Sequence, residues 1–158
     1  MNKEDVIIVG GGPCGLAAAI ALKKKGFNPL IIEKGNIVNA IYNYPTHQTF
    51  FSSSEKLAIG DVPFITENLK PKRNQALVYY REVVKREKLR INKYEKVTEV
   101  IKQGDTVFEV STDKQQYTAQ NIVIATGYYD HPNLMGIPGE DLSKVSHYFK
   151  EAHPYFDM

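Results

Sequence analysis

Near the start of the chain, Gly10-Gly11-Gly12-Pro13-Cys14-Gly15 contains the only thiol in 158 residues. The spacing is G-x-G-x-x-G, and each glycine answers a different physical need. Gly10 allows a tight turn, Gly12 lets backbone approach a pyrophosphate, and Gly15 lets a helix pack on a strand. Pro13 and Cys14 complete the loop. An anion there would meet unpaired N–H groups at the positive end of a helix dipole. Glu33 follows 23 residues after Gly10, where a carboxylate accepts hydrogen bonds from an adenosine ribose. An acid at this position disfavours a 2′-phosphate, so NADP is not expected in this site, while FAD and NAD both fit the loop.

Such residues work only if a strand delivers the first glycine and a helix carries away the last. The apolar run Val6–Val9 reads as that strand. Leu16, Ala19, Ile20 and Lys23 then recur at helical spacing up to Gly26, a C-cap. Pro29–Glu33 reads as a second strand, closed by Gly35. A β-α-β unit of this length predicts a parallel pair with a right-handed crossover. Residues 36–66 are irregular, polar and aromatic, and loops of that length in a compact domain are usually functional. A helix is expected in RNQALVYYREVVKREKL, with Leu77, Tyr80 and Val84 on one face. Short strands follow at Val97–Ile101, Val107–Ser111, Gln116–Thr118 and Asn121–Ala125, with a hairpin turn at Gln103-Gly104-Asp105. The class expected is α/β: a Rossmann-type FAD/NAD(P)-binding domain with a parallel central sheet and a small antiparallel hairpin insertion.

Composition excludes several classes. Charged residues make up 24% and hydrophobic ones 42%, with a net charge of +2. That balance gives no reason to expect nucleic acid or an anionic membrane as partner. No apolar run approaches the roughly 20 residues that span a bilayer. A single cysteine forms no internal disulfide, and a cytoplasmic protein is expected. His47, His131, His147 and His153 lack metal-ligand spacing.

The segment Ile122–Gly127, IVIATG, resembles the second flavin-binding motif of flavoproteins with two dinucleotide sites, and it favours FAD over NAD. Together, GGGPCGLAAAIALKKKGFNPLIIEKG, NAIYNYPTHQTFFSSSEKLAIGDVPF and NIVIATGYYDHPNLMGIPGEDL resemble the YpdA-type bacillithiol disulfide reductases, which are thioredoxin-reductase-like flavoproteins. The Pro-Cys-Gly inside the loop is the most discriminating pattern. The likeness runs along nearly the whole chain and corresponds to about the first half of such a protein.

The resemblance implies FAD as a tightly bound cofactor and NADPH as the electron donor of the full-length protein. It implies a low-molecular-weight thiol disulfide as acceptor, and a homo-oligomer at full length. By position, Gly10, Gly12, Pro13, Cys14 and Gly15 would embrace the pyrophosphate, and Glu33 with Lys34 would meet the adenosine ribose. Asn43 aligns with the stretch that passes the isoalloxazine in the wider thioredoxin reductase group, and His47 lies just beyond. Val97 falls where such proteins offer backbone to adenine, and Thr126 and Gly127 would close the site.

Departures matter equally. Against the family's pattern there is no C-x-x-C pair and no second G-x-G-x-x-G, so the chain is expected to hold one dinucleotide half-site and to be inactive alone, with residues 1–150 forming an incomplete FAD-binding domain and 151–158 the start of a linker to a nicotinamide domain. The residues themselves leave Cys14 open between a small packing residue and a redox residue. The resemblance makes it a candidate for the second role, either as the catalytic residue forming a mixed disulfide with the small thiol or as a site of redox sensing or thiol capping. Two rival readings are a non-catalytic dinucleotide-binding module and a flavin monooxygenase-like enzyme.

Overall fold

The computed structural model describes residues 2–158. Strand β1 (Asn2–Val9) leads through the glycine loop into helix α1 (Pro13–Lys24), and β2 (Leu30–Glu33) follows. The region expected to be irregular contains two short helices, α2 (Asn39–Tyr42) and α3 (Ser54–Leu57). Helix α4 (Arg73–Arg86) precedes four strands: β3 (Arg90–Lys93), β4 (Val97–Gln103), β5 (Val107–Thr112) and β6 (Gln116–Ile124). All six strands form one sheet in the order β3-β2-β1-β6-β5-β4. The first four in that order are mutually parallel, and β6-β5-β4 is an antiparallel meander. This is the expected Rossmann-type core with its hairpin attached as a continuation of the sheet.

Pairing accounts for three differences from the sequence reading. β1 begins at Asn2 rather than Val6, since Asn2–Glu4 pair with Tyr117–Ala119. Only one strand, not two, spans 116–124. Ala119 pairs with Glu4 on one side and Phe108 on the other, so the ladder runs unbroken through the middle. β3 was not expected at all: Arg90–Lys93 is short and polar, and becomes a strand by pairing with β2 along Leu30–Glu33.

Side-chain alternation in β1 serves both faces of the sheet. Val6 and Ile8 pack with Leu16, Ala19 and Ile20 of α1 and with Ala76, Tyr80 and Val83 of α4. Ile7 and Val9 pack on the opposite face with Leu30, Ile32, Val110, Tyr117 and Ala119. β1 is thus fully enclosed at its C-terminal end, the end from which the glycine loop departs, as ligand sites in open parallel sheets require. Beyond β6 the chain is irregular except for a 3-10 turn at His153–Tyr155. It folds back through a bond from the Thr46 N–H to the Lys150 carbonyl (2.9 Å). Among the described residues no helix is long and apolar enough to cross a membrane.

Candidate dinucleotide-binding site

The glycines of the loop stand in different surroundings. Gly10 has φ +110°, and a Cβ there would lie 2.3 Å from the Ala125 carbonyl oxygen. A Cβ on Gly15 would lie 2.0 Å from the Gly10 carbonyl oxygen. These two are backbone-packing positions, where β6 and α1 close on the loop. Gly12 is extended (φ −77°, ψ 177°), and a Cβ on it would meet nothing within 4 Å. It faces open space.

That space is a cavity of about 590 Å³, within the range of roughly 300–1,000 Å³ typical of ligand sites. Gly12, Pro13 and Cys14 form its floor, and Glu33 and Lys34 one wall. Asn39, Ala40 and Tyr44 form another wall, and Val123–Asp130, with Thr126 and Gly127, close it. The first turn of α1 has no side-chain cap and no acidic residue. Its N–H groups and the positive end of its dipole are therefore left for a ligand. Cys14, the second residue of α1, is exposed and lines the cavity.

Glu33 is buried at 7% exposure. Its Oε2 accepts the Gly11 N–H at 2.6 Å and its Oε1 the Gly35 N–H at 2.7 Å. The carboxylate therefore clasps the phosphate loop to the end of β2. A carboxylate has about four acceptor sites, so this clasp leaves capacity for ribose hydroxyls. Lys34 pairs with Asp130 at 2.5 Å.

Other expected site residues lie outside the cavity wall. Asn43 caps α2, and its carbonyl accepts the Tyr129 hydroxyl at 3.2 Å. His47 is exposed on the following loop. Val97 pairs with Thr112 in β4 and packs against the Ile7 face of the sheet. Gly10 and Gly15 lie behind the loop rather than on its ligand face.

Several residues that shape the site were not singled out from the sequence. Asn39 and Ala40 reach the cavity because α2 is pinned twice. Val38 donates its N–H to the Gly11 carbonyl at 3.0 Å, from a left-handed conformation (φ 49°) with its side chain fully buried. That conformation is strained for a β-branched residue. At the other end, Arg73 Nε lies 3.2 Å from the Ile41 and Tyr42 carbonyls, and its guanidinium sits 5.3 Å from the Tyr42 ring. Gly35 admits the Asn39 side chain, which a Cβ there would meet at 2.5 Å.

Tyr44 meets the Tyr129 ring edge-on at 4.7 Å. Burial, then the neighbouring Tyr128 and Tyr129 hydroxyls, raise the Tyr44 phenol above its ordinary value. Among the described residues no group of His, Cys, Asp and Glu could hold a metal ion.

The family described as pyridine nucleotide-disulphide oxidoreductase matches residues 7–158. The bacilliredoxin reductase Bdr of Bacillus subtilis is 67% identical over 157 residues, 99% of this chain and 48% of the relative. Among solved structures, the bacillithiol disulfide reductase Bdr (YpdA) from Staphylococcus aureus superposes with a TM-score of 0.97 at 62% identity. The match covers 99% of this chain and 48% of that one. The enzyme of the same description from Bacillus cereus gives 0.96 at 69%, covering 99% and 49%. The chain spans about half the length of these relatives.

Proposed function

The chain belongs to the pyridine nucleotide-disulphide oxidoreductase family, and from that premise we propose that it is the FAD-binding part of an NADPH-dependent reductase of a bacillithiol-type disulfide. The observation that carries this reading is the cavity over Gly12–Cys14, bounded by Glu33 and by Thr126 and Gly127. The uncapped start of α1 suits a pyrophosphate, and the buried Glu33 suits the adenosine ribose. FAD, when bound, supplies two-electron transfer between a nicotinamide and a disulfide.

The chain's own residues bind, orient and shield. Gly12 lets the loop backbone approach the pyrophosphate, and Gly10 and Gly15 fix that loop against Ala125 and α1. Tyr44 and Tyr129, whose rings meet edge-on, shield one side of the cavity. Asn43, His47 and Val97 belong to a more extended site, reached by parts of the dinucleotide beyond this cavity. Cys14 is the residue we assign to the disulfide. Its sulfur would attack one sulfur of the substrate, breaking that S–S bond, releasing one thiol and holding the other half as a mixed disulfide. That exchange uses no external electrons; the two electrons of one NADPH, with two protons, would then be drawn on by the whole protein to release the second thiol and restore Cys14. The working protein is a cytoplasmic homo-oligomer in which residues 1–150 carry FAD and 151–158 lead towards a nicotinamide domain.

The test is an absorbance spectrum of the purified protein before and after FAD addition and desalting. Bleaching with NADPH and reoxidation by bacillithiol disulfide are then followed in the full-length protein, because this chain is expected to hold one dinucleotide half-site. Retained flavin bands and disulfide-dependent reoxidation support the reading. A protein that retains no flavin favours a non-catalytic module. Reoxidation by oxygen with hydroxylation of a substrate favours a monooxygenase.

A further inference from the structure

The segment Tyr128-Tyr129-Asp130 lines the cavity and is tied to two of its walls. On one side Asp130 pairs with Lys34, at the end of β2. On the other, the Tyr129 hydroxyl donates to the Asn43 carbonyl at 3.2 Å and its ring meets Tyr44. The Tyr148 hydroxyl bonds the Tyr129 carbonyl at 2.9 Å from outside. The segment leaves β6 through Gly127, whose φ is +70° and whose Cβ position is open, a backbone able to hinge.

We propose that residues 128–130 form a strap across the mouth of the dinucleotide cavity, and that Asp130 is a positioning residue: by holding Lys34 it latches the strap and sets how fast the dinucleotide exchanges. The inference rests on the reading of the cavity as a dinucleotide site. Glu33, Lys34 and Asp130 are the charged residues lining the cavity, and Glu33 is already engaged by Gly11 and Gly35. The Lys34–Asp130 pair is therefore the charged latch available. Its side chains are 48% and 32% exposed, so the pair is weak enough to open and is screened by salt. The aromatic tie through Tyr129 is neutral and would persist while the latch opens about Gly127.

Stopped-flow flavin fluorescence measures FAD uptake and release by the protein and its variants at low and high salt. Asp130→Asn and Lys34→Met are expected to speed both uptake and release about twofold to fivefold, the scale of a part-exposed ion pair. Both are also expected to remove most of the salt dependence of exchange. Asp130→Glu, which keeps the pair, is expected to behave as the parent, and flavin-free melting temperatures should stay within the error of the parent value. If Asp130→Asn leaves both rates unchanged while FAD binds, the strap is wrong and the dinucleotide reading stands. If it only slows release, Asp130 is merely a charge repelling the pyrophosphate, and the proposal falls. If Lys34→Met alone alters exchange, Lys34 acts on the cofactor directly, which also overturns it. A parent protein that takes up no FAD removes both readings together.

Discussion

Alanine at Gly15 and at Gly12 should separate what the loop does for the fold from what it does for the ligand. At Gly15 the new Cβ would lie 2.0 Å from the Gly10 carbonyl oxygen and 3.2 Å from its carbon. Backbone, not a flexible side chain, must give way. Overpacking of this kind costs about 1–3 kcal/mol, and a clash with backbone belongs at the upper end. Alanine regains about 1 kcal/mol of helix propensity over glycine, leaving a net loss near 2 kcal/mol. For a chain of this size that lowers the melting temperature by about 4–8 °C.

Gly12 differs on every count. Its φ of −77° suits any residue, and nothing lies within 4 Å of the new methyl. Alanine is a poorer N-cap than glycine but stiffens the unfolded chain by about 0.4–1 kcal/mol. These effects nearly cancel, so the flavin-free protein should melt within about 2 °C of the parent. The methyl would nonetheless stand where the pyrophosphate must come. FAD affinity should fall at least about tenfold, or 1.4 kcal/mol. Thermal melting without flavin and a fluorescence titration with FAD read the two quantities separately. Parent-like FAD affinity in Gly12→Ala would refute the placement of the pyrophosphate. A parent-like melting temperature in Gly15→Ala would refute the packing argument.

The clasp made by Glu33 should also be measurable. Glu33→Gln retains one acceptor oxygen where two bond Gly11 and Gly35, and the loss is expected to be about 1.5–3 kcal/mol by urea unfolding; no loss would mean the clasp is dispensable. At Val38 the usual ranking of alanine over glycine should invert. Val38→Ala keeps the left-handed strain and loses buried volume, whereas Val38→Gly sheds a strain of about 1–2 kcal/mol and should melt higher than the alanine variant. Burial raises the phenols of Tyr44, Tyr79, Tyr80, Tyr117 and Tyr129, with Tyr117 pushed up to about 12. A raised folded value stabilises the protein fully below the unfolded value of about 10, and that stability is lost as pH rises through the folded values. Unfolding free energy should thus hold steady to about pH 9 and decline between roughly 10 and 12, with tyrosinate absorbance appearing later in the folded protein than in urea. Coincident titration in both states would remove the effect.

The sequence by itself determined the glycine loop, the β1-α1-β2 unit around it, the acid at the end of β2 and the return strand that leads into Thr126-Gly127. Each is a local pattern: glycines whose spacing is dictated by turn and approach, or apolar runs whose period is set by the element they form. Tertiary structure decided what local pattern cannot encode. Arg90–Lys93 became a strand because β2 offered an unpaired edge, helped by Arg90 reaching Glu4, 86 positions away. β6 ran unbroken because Ala119 found partners on both sides. Asp130 and Arg73 joined the site by meeting Lys34 and the carbonyls of α2 across the fold. A charged residue in a loop carries no sign of its partner until loop closure brings the two together, and the pairing energy is too small to mark either residue in advance. The left-handed turn at Val38 shows the same from the other side: sequence preference opposes it, and full burial against the core holds it in place.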